Sequence, residues 1–248
     1  MAKIIHNNEP DVSEPKKNIV DTIIEFVLFL AAGVSGVVFY FTRSPIALII
    51  GGGLALSFFV ALLLSDRPTR NNTPPEKVYG NIGEKKAEFV LGKYLPDEFT
   101  IIQNVSIIFD GERCEIDNLV IGKTGVFIVE VKNLKGSIVG DCDEKVWKQY
   151  KIDQYGKEHI DENKNPVMQV SRQIRILKDY LKANGVSTYI RGAVYFTDKD
   201  MKLRLIGEPK KDIHIFTFNQ KKELISYILN GDADLYDKKI QKIISILK

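Results

Sequence analysis

The sequence predicts an α/β domain, with helices packed around a mixed sheet, preceded by a two-helix transmembrane hairpin. Three observations carry that prediction. Two long runs without a charged residue stand at the front, at 26–42 and 44–65. Behind them, short Ile/Val-rich segments bounded by turn signals alternate with stretches of helical periodicity. One pair of those segments carries acidic and basic side chains on faces that otherwise read as buried.

The chain has 248 residues, room for one or two domains. Its 44% hydrophobic and 27% charged residues are ordinary for a folded protein. Residues 1–75 carry 6 Lys+Arg against 6 Asp+Glu, so the net charge of +3 belongs wholly to residues 76–248. A charge that small does not by itself announce a nucleic-acid partner. Two cysteines, Cys114 and Cys142, exclude a disulfide-dense scaffold. The three histidines are scattered and form no zinc-site spacing.

The first run, 26–42, has 17 positions and the second, Ser44–Ser65, has 22. At a helical rise of about 1.5 Å per residue each is roughly 25–33 Å long, the thickness of a bilayer's hydrocarbon core. Thr42-Arg43-Ser44-Pro45 supplies the turn. Helices buried in a soluble core keep a polar face, and these have none. The expectation is two membrane helices, about 19–42 and 46–64, after a tail at 1–18. The tail has three Lys and three acidic residues, so it lacks the basic start of a cleaved signal, and a second span comes at once after the first. Asp21 and Glu25 fall at the membrane interface at the start of the first span. Ala32, Gly36, Ala47, Gly51 and Ala55 give small-residue faces that could pack the hairpin on itself or build a homo-oligomer. Lys16 and Lys17 precede the spans, Arg67, Arg70 and Lys77 come after them, and only Arg43 occupies the loop. That bias predicts a multi-pass membrane protein with both termini and the C-terminal domain cytoplasmic.

Residues 66–79 are polar and proline-bearing and read as a linker to a domain over 80–248. Residues 82–95 have a helical pattern ended by Pro96. Residues 100–109 form an Ile-rich strand, and Asp110-Gly111 is a hairpin turn. Strands at 114–121 and 125–132 flank the tight turn Gly122-Lys123-Thr124. Shorter strands near 137–140 and 145–152 are expected to continue the meander. A helix over 166–184 places Val167, Val170, Ile174, Leu177 and Leu181 three and four apart. Strands at 190–197 and 213–218, then helices near 219–229 and 234–247, complete the domain.

The chemistry concentrates between 115 and 132. Strand side chains alternate faces, so Asp117 shares a face with Leu119 and Ile121, and Glu130 and Lys132 share one with Val126 and Ile128. A turn pivoting near Lys123 sets Asp117 opposite Glu130. Two buried carboxylates repel and are costly to desolvate. Lys132 offsets one charge, and a divalent cation such as Mg²⁺, which takes one or two carboxylates and keeps several waters, offsets the rest. Such a cation polarises a phosphoryl oxygen, and Lys132 stabilises the developing charge, which is equipment for phosphodiester hydrolysis.

Asp117, twelve intervening residues, then Glu130-Val131-Lys132 resembles the D…(D/E)-x-K motif of the PD-(D/E)xK nuclease superfamily. The ordered set is more specific. Gly80-x-x-Gly83-Glu84, Glu115-Ile116-Asp117-Asn118-Leu119, the run Gly125–Asn133 with Gly136, then Trp147, and Asn165-Pro166-x-x-Gln169 together resemble the nuclease-related domain, the NERD family, over about 78–200. The resemblance implies a restriction-endonuclease-like fold, a Mg²⁺ (or Mn²⁺) site and a nucleic-acid (DNA or RNA) substrate. It implies metal ligation by Asp117, Glu130 and Glu84, with Glu88 one turn on as an alternative to Glu84. It makes Lys132 the catalytic lysine and sets Gln169 beside it. Ile116 stands where the superfamily motif has proline. Lys135, Arg172 and Arg175 are candidate phosphate contacts. Two rivals to a membrane-tethered nuclease remain: a module that binds nucleic acid or protein without turnover, and a membrane organiser in which the hairpin is the active part.

Overall fold

The computed structural model describes residues 1–6, 40, 75–153 and 155–248. The chain divides into two compact units, one of residues 1–9 with 74–248 and one of residues 10–73. The expected transmembrane hairpin, 19–42 and 46–64, falls in the second unit and, save Tyr40, lies outside the described residues. No helix among the described residues is long and apolar enough to cross a membrane.

The first unit is a mixed α/β domain with sheets flanked by helices. Ten strands are described: β1 (Lys3–His6), β2 (Thr100–Phe109), β3 (Glu112–Gly122), β4 (Gly125–Lys132), β5 (Ser137–Asp141), β6 (Val146–Ile152), β7 (Glu158–Lys164), β8 (Ile190–Phe196), β9 (Lys202–Ile206) and β10 (Ile213–Phe216). The helices are α1 (Pro75–Tyr94), α2 (Pro166–Ala183), α3 (Lys221–Leu229) and α4 (Asp237–Leu247). The main sheet runs β1-β2-β3-β4-β8-β10. Its centre is the antiparallel β2-β3-β4 meander, and parallel pairs β1/β2, β4/β8 and β8/β10 flank it.

Alternation along β4 sorts its side chains cleanly between two cores. Val126 and Ile128 join a core with α2, α4, Ile138 and Trp147. Phe127, Val129 and Val131 join the opposite core with α1 and α3. So α1 and α3 cover one face and α2 and α4 the other. Each fully buried Ile or Leu contributes about 1.5–3 kcal/mol, so both faces need their helices.

The meander breaks step once. Ile102 and Val105 on β2, and Ile116 and Leu119 on β3, are three residues apart yet join the same core. Strict alternation would send one of each pair to the opposite face. The slip occurs where Asn104 faces Asp117, with Asn104 at φ 53°, a left-handed conformation that Asn tolerates better than most residues.

Four features differ from the sequence expectations. The meander ends at β4: β5 and β6 belong to a separate sheet of order β7-β6-β5-β9. Strands β7 and β9 escape notice because β7, EHIDENK, is polar but for Ile160 and almost wholly exposed, and β9, KLRLI, alternates over only five mostly exposed residues. Helix α1 begins at Pro75, inside the stretch that reads as linker, because proline is well suited to a helix's first turn. Residues 3–6 within the N-terminal tail form β1, an edge strand pairing Lys3–His6 with Thr100–Gln103. Ile4 seats against Gly92 of α1, where an added Cβ would lie 2.9 Å from Ile4 Cδ1.

Deleting residues 1–6 therefore leaves one edge of β2 unpaired. Hydrogen exchange at Thr100–Gln103 is expected to quicken severalfold in the deleted protein, with α2 unchanged. Equal protection in both proteins would contradict the pairing.

Candidate active site

Glu130 is the centre of the site. It lies on β4, on the face turned to α2, and is 2% exposed. A carboxylate so removed from water must be hydrogen-bonded. Its Oε1 accepts from Lys132 Nζ at 2.6 Å and from Gln169 Nε2 at 2.7 Å. Its Oε2 accepts from Gln173 Nε2 at 2.7 Å. Lys132 Nζ also donates to Gln169 Oε1 at 3.1 Å, closing a triangle of Glu130, Lys132 and Gln169. The Lys132 side chain is 25% exposed, so the ammonium meets both the buried carboxylate and solvent.

Asp117 reaches the cluster from β3. The β3–β4 pairing ends with Asn118 opposite Val129, one residue short of Asp117 and Glu130, and Asp117 feels the Glu130 charge. Asp117 Oδ2 accepts from the Val131 backbone N–H at 2.7 Å, which fixes the carboxylate between the strands. Burial, the chief cause, and then the Glu130 charge push its pKa up from 3.8 to about 7. The Val131 N–H and Lys132 pull the other way, and Glu84 adds a further upward push. Glu84 is thus close enough for its charge to be felt at Asp117.

Two local devices set the helices. Asn165 caps α2: its Oδ1 accepts from Val167 N and Met168 N, while its Nδ2 donates to the carbonyls of Asp141, Cys142 and Glu144. That staples the start of α2 to the β5–β6 turn and sets Gln169 in the first turn, above Glu130. On the other side, Gly83 lets α1 approach the ends of β4 and β8. A Cβ there would sit 2.6 Å from Asn133 Cβ and 3.0 Å from Thr197 Oγ1. Gly80 meets nothing within 4 Å, so its side of the motif makes no such demand. Lys86 Nζ, one turn on, donates to the Thr197 carbonyl at 3.2 Å.

The phosphate-contact candidates lie elsewhere. Arg175 makes a two-pronged contact with Glu112, at 2.7 and 2.9 Å, and Arg172 reaches Glu112 at 3.1 Å and the Arg113 carbonyl at 3.0 Å. Both arginines are therefore engaged at the β2–β3 turn rather than beside Glu130. Lys135 is exposed and comes just after β4. Trp147 is 1% exposed, donates to the Asp141 carbonyl and stacks on Phe196, which makes it a packing anchor. A cavity of about 300 Å³ opens beside Lys132 and Gln169, with Leu134, Ile138 and Phe196 among its walls.

Gln173 is the site residue that the sequence reading missed. It is 2% exposed and bridges Glu130 Oε2 to the Glu115 carbonyl at 2.8 Å. Its position four after Gln169 stacks the two amides one turn apart, and that spacing was its available signal.

Among the described residues, no three His, Cys, Asp or Glu side chains are arranged to hold a metal ion. The donor chemistry nevertheless fits Mg²⁺ or Mn²⁺: two adjacent carboxylates are the number Mg²⁺ takes from a protein. Gln173 Oε1 is a buried acceptor without a hydrogen-bond partner, suited to a water carried by such a cation.

A buried acid–acid–lysine cluster stands on the central strands of the mixed sheet. Residues 79–197 match the family model described as the nuclease-related domain, NERD, and this stretch of the chain is a nuclease-related domain. An uncharacterized protein of Bacillus anthracis is 38% identical over 71 residues, which is 28% of this chain. The chain spans about a third (34%) of that relative's length. No solved structure matches the chain.

The raised pKa fixes a sign. Below about pH 3 Asp117 is protonated in folded and unfolded chains alike. As pH rises toward 7 the unfolded chain releases the proton while the folded one keeps it, so metal-free stability from this group falls across that window. A ¹³C-carboxyl titration of the metal-free protein should place the Asp117 midpoint near 7. Glu130→Gln should lower it and Lys132→Ala raise it. A midpoint near the ordinary 3.8 would contradict the buried pair.

Proposed function

We propose that this protein is a membrane-anchored, divalent-metal-dependent hydrolase of nucleic-acid phosphodiester bonds. The observation that carries the reading is Lys132 Nζ, partly open to solvent, held 2.6 Å from the buried Glu130 with Asp117 alongside.

Asp117 and Glu130 would hold the cation, with Glu84 contributing from α1. A bound Mg²⁺ or Mn²⁺ would supply Lewis-acid polarisation of a phosphoryl oxygen. Lys132 places a fixed positive charge where negative charge builds on the phosphate, in a partly dry site that strengthens it. Gln169, bonded to both Glu130 and Lys132, holds the ammonium in place. Lys135 lies near enough along the chain to meet the strand's backbone. Arg172 and Arg175 can meet phosphates only by giving up Glu112. A restriction-endonuclease-like fold agrees with the mixed sheet and its helices.

The anchoring proposal rests on the two uncharged runs and gains support from β1. Residues 3–6 pair with 100–103, so both lie on one side of any bilayer. The chain between them then crosses an even number of times, as a two-span hairpin does, and the flanking Lys/Arg make that side cytoplasmic. The small-residue faces of the hairpin would serve a homo-oligomer.

One observation favours a non-catalytic binding module instead. Both Glu130 oxygens already accept hydrogen bonds from the chain's own side chains. Full-length protein in detergent separates the readings. Metal-dependent cleavage of DNA or RNA is expected, falling roughly 10²-fold or more in Glu130→Gln and in Lys132→Ala. Binding without product would establish the module, and cleavage surviving both substitutions would remove this site from the chemistry.

A further inference from the structure

Helix α1 buries Ala87, Val90 and Leu91 against the sheet. Its opposite side presents Ile82, Lys85, Phe89 and Lys93, spaced three and four apart and so aligned along one stripe. Phe89 is 63% exposed, Tyr94 46% and Ile82 42%. An exposed phenylalanine on a helix that already has an apolar core face is unusual. The stripe is interleaved with cations. Lys93 Nζ lies 5.2 Å from the Phe89 ring centre and 5.5 Å from that of Tyr94. Lys221 and Lys222 at the start of α3 join Tyr94 and Ile225 in lining a shallow pocket beside it.

We infer that this aromatic–lysine stripe docks the domain on an anionic lipid surface. The inference rests on the membrane reading above. Aromatic rings with lysines beside them suit the headgroup layer, where the rings enter the interface and each cation near anionic lipid contributes about 1 kcal/mol. Chain continuity points to the same occupant. Only residues 66–74 separate the second uncharged run from Pro75. Nine residues reach at most about 30 Å, so α1 starts close to any bilayer that run enters. The arrangement also orients the site. The α1 stripe and the Gln169–Gln173 side of α2 lie on opposite faces of the main sheet. With α1 against lipid, α2 faces the aqueous phase, where a polymeric substrate approaches.

The test uses the full chain in lipid nanodiscs, with Phe89→Trp as the probe. The one native tryptophan, Trp147, is 1% exposed, so the unsubstituted chain supplies the background. In discs of brominated phosphatidylglycerol and phosphatidylcholine, emission from the introduced tryptophan should fall about twofold. It should recover in brominated phosphatidylcholine alone, and when Lys85, Lys93, Lys221 and Lys222 are changed to Glu. Protein that co-elutes with discs but shows only background quenching overturns this inference and leaves the anchor standing. Quenching indifferent to lipid charge and to the lysine changes also overturns it. Protein that never enters discs overturns the anchor and this inference together. Loss of nucleic-acid binding in the lysine variant, with quenching intact, assigns the stripe to nucleic acid instead.

Discussion

A single carboxylate sealed inside the domain governs the arrangement around it. Glu130 is 2% exposed and sits on a central strand, where an unpaired charge would cost several kcal/mol. The fold answers with three donors from two elements. Lys132 comes from the same strand two residues on, and Gln169 and Gln173 come from one side of α2. Those bonds specify where α2 lies across the sheet. Removing either glutamine would leave a buried acceptor short of a partner.

The rest of the domain delivers parts to that point. The Asn165 cap fixes the start of α2, so that the first turn carries Gln169 to Glu130. The second sheet takes part through the carbonyls between β5 and β6 that Asn165 grips. The slip at Asn104 lets β2 and β3 change step beside Asp117. Gly83 admits α1 closely enough for the Glu84 charge to reach Asp117. The Glu130 charge, added to burial, then opposes ionisation of Asp117, which is the condition a cation relieves.

Much of this was legible in the sequence. The turn at 122–124 fixes the hairpin register, which runs to Asn118 opposite Val129, the pair before Asp117 and Glu130. The Asn165-Pro166 start and the apolar spacing of α2 likewise declare themselves. What could not be read gave too short or too polar a pattern to reveal it. Strand β7 is polar but for Ile160, and the five residues of β9 pair in parallel with β5 through a connection of sixty residues. Strand β1 is four residues long and depends wholly on a partner about a hundred residues away. Gln173 resembles a polar interruption of the helix's apolar stripe until Glu130 is seen beneath it. The engagement of Arg172 and Arg175 with Glu112 depends on where the β2–β3 turn lands, which strand patterns do not give.

The domain is nuclease-related, and its proposed chemistry turns on Asp117 and Glu130 sharing a cation. Calorimetric titration of the full chain with Mn²⁺, beside its Asp117→Asn variant and without nucleic acid, tests that directly. One saturable site per chain is predicted, with uptake accompanied by proton release at pH 6–7 and lost in the variant. Identical heats from the two proteins, or none from either, would contradict it.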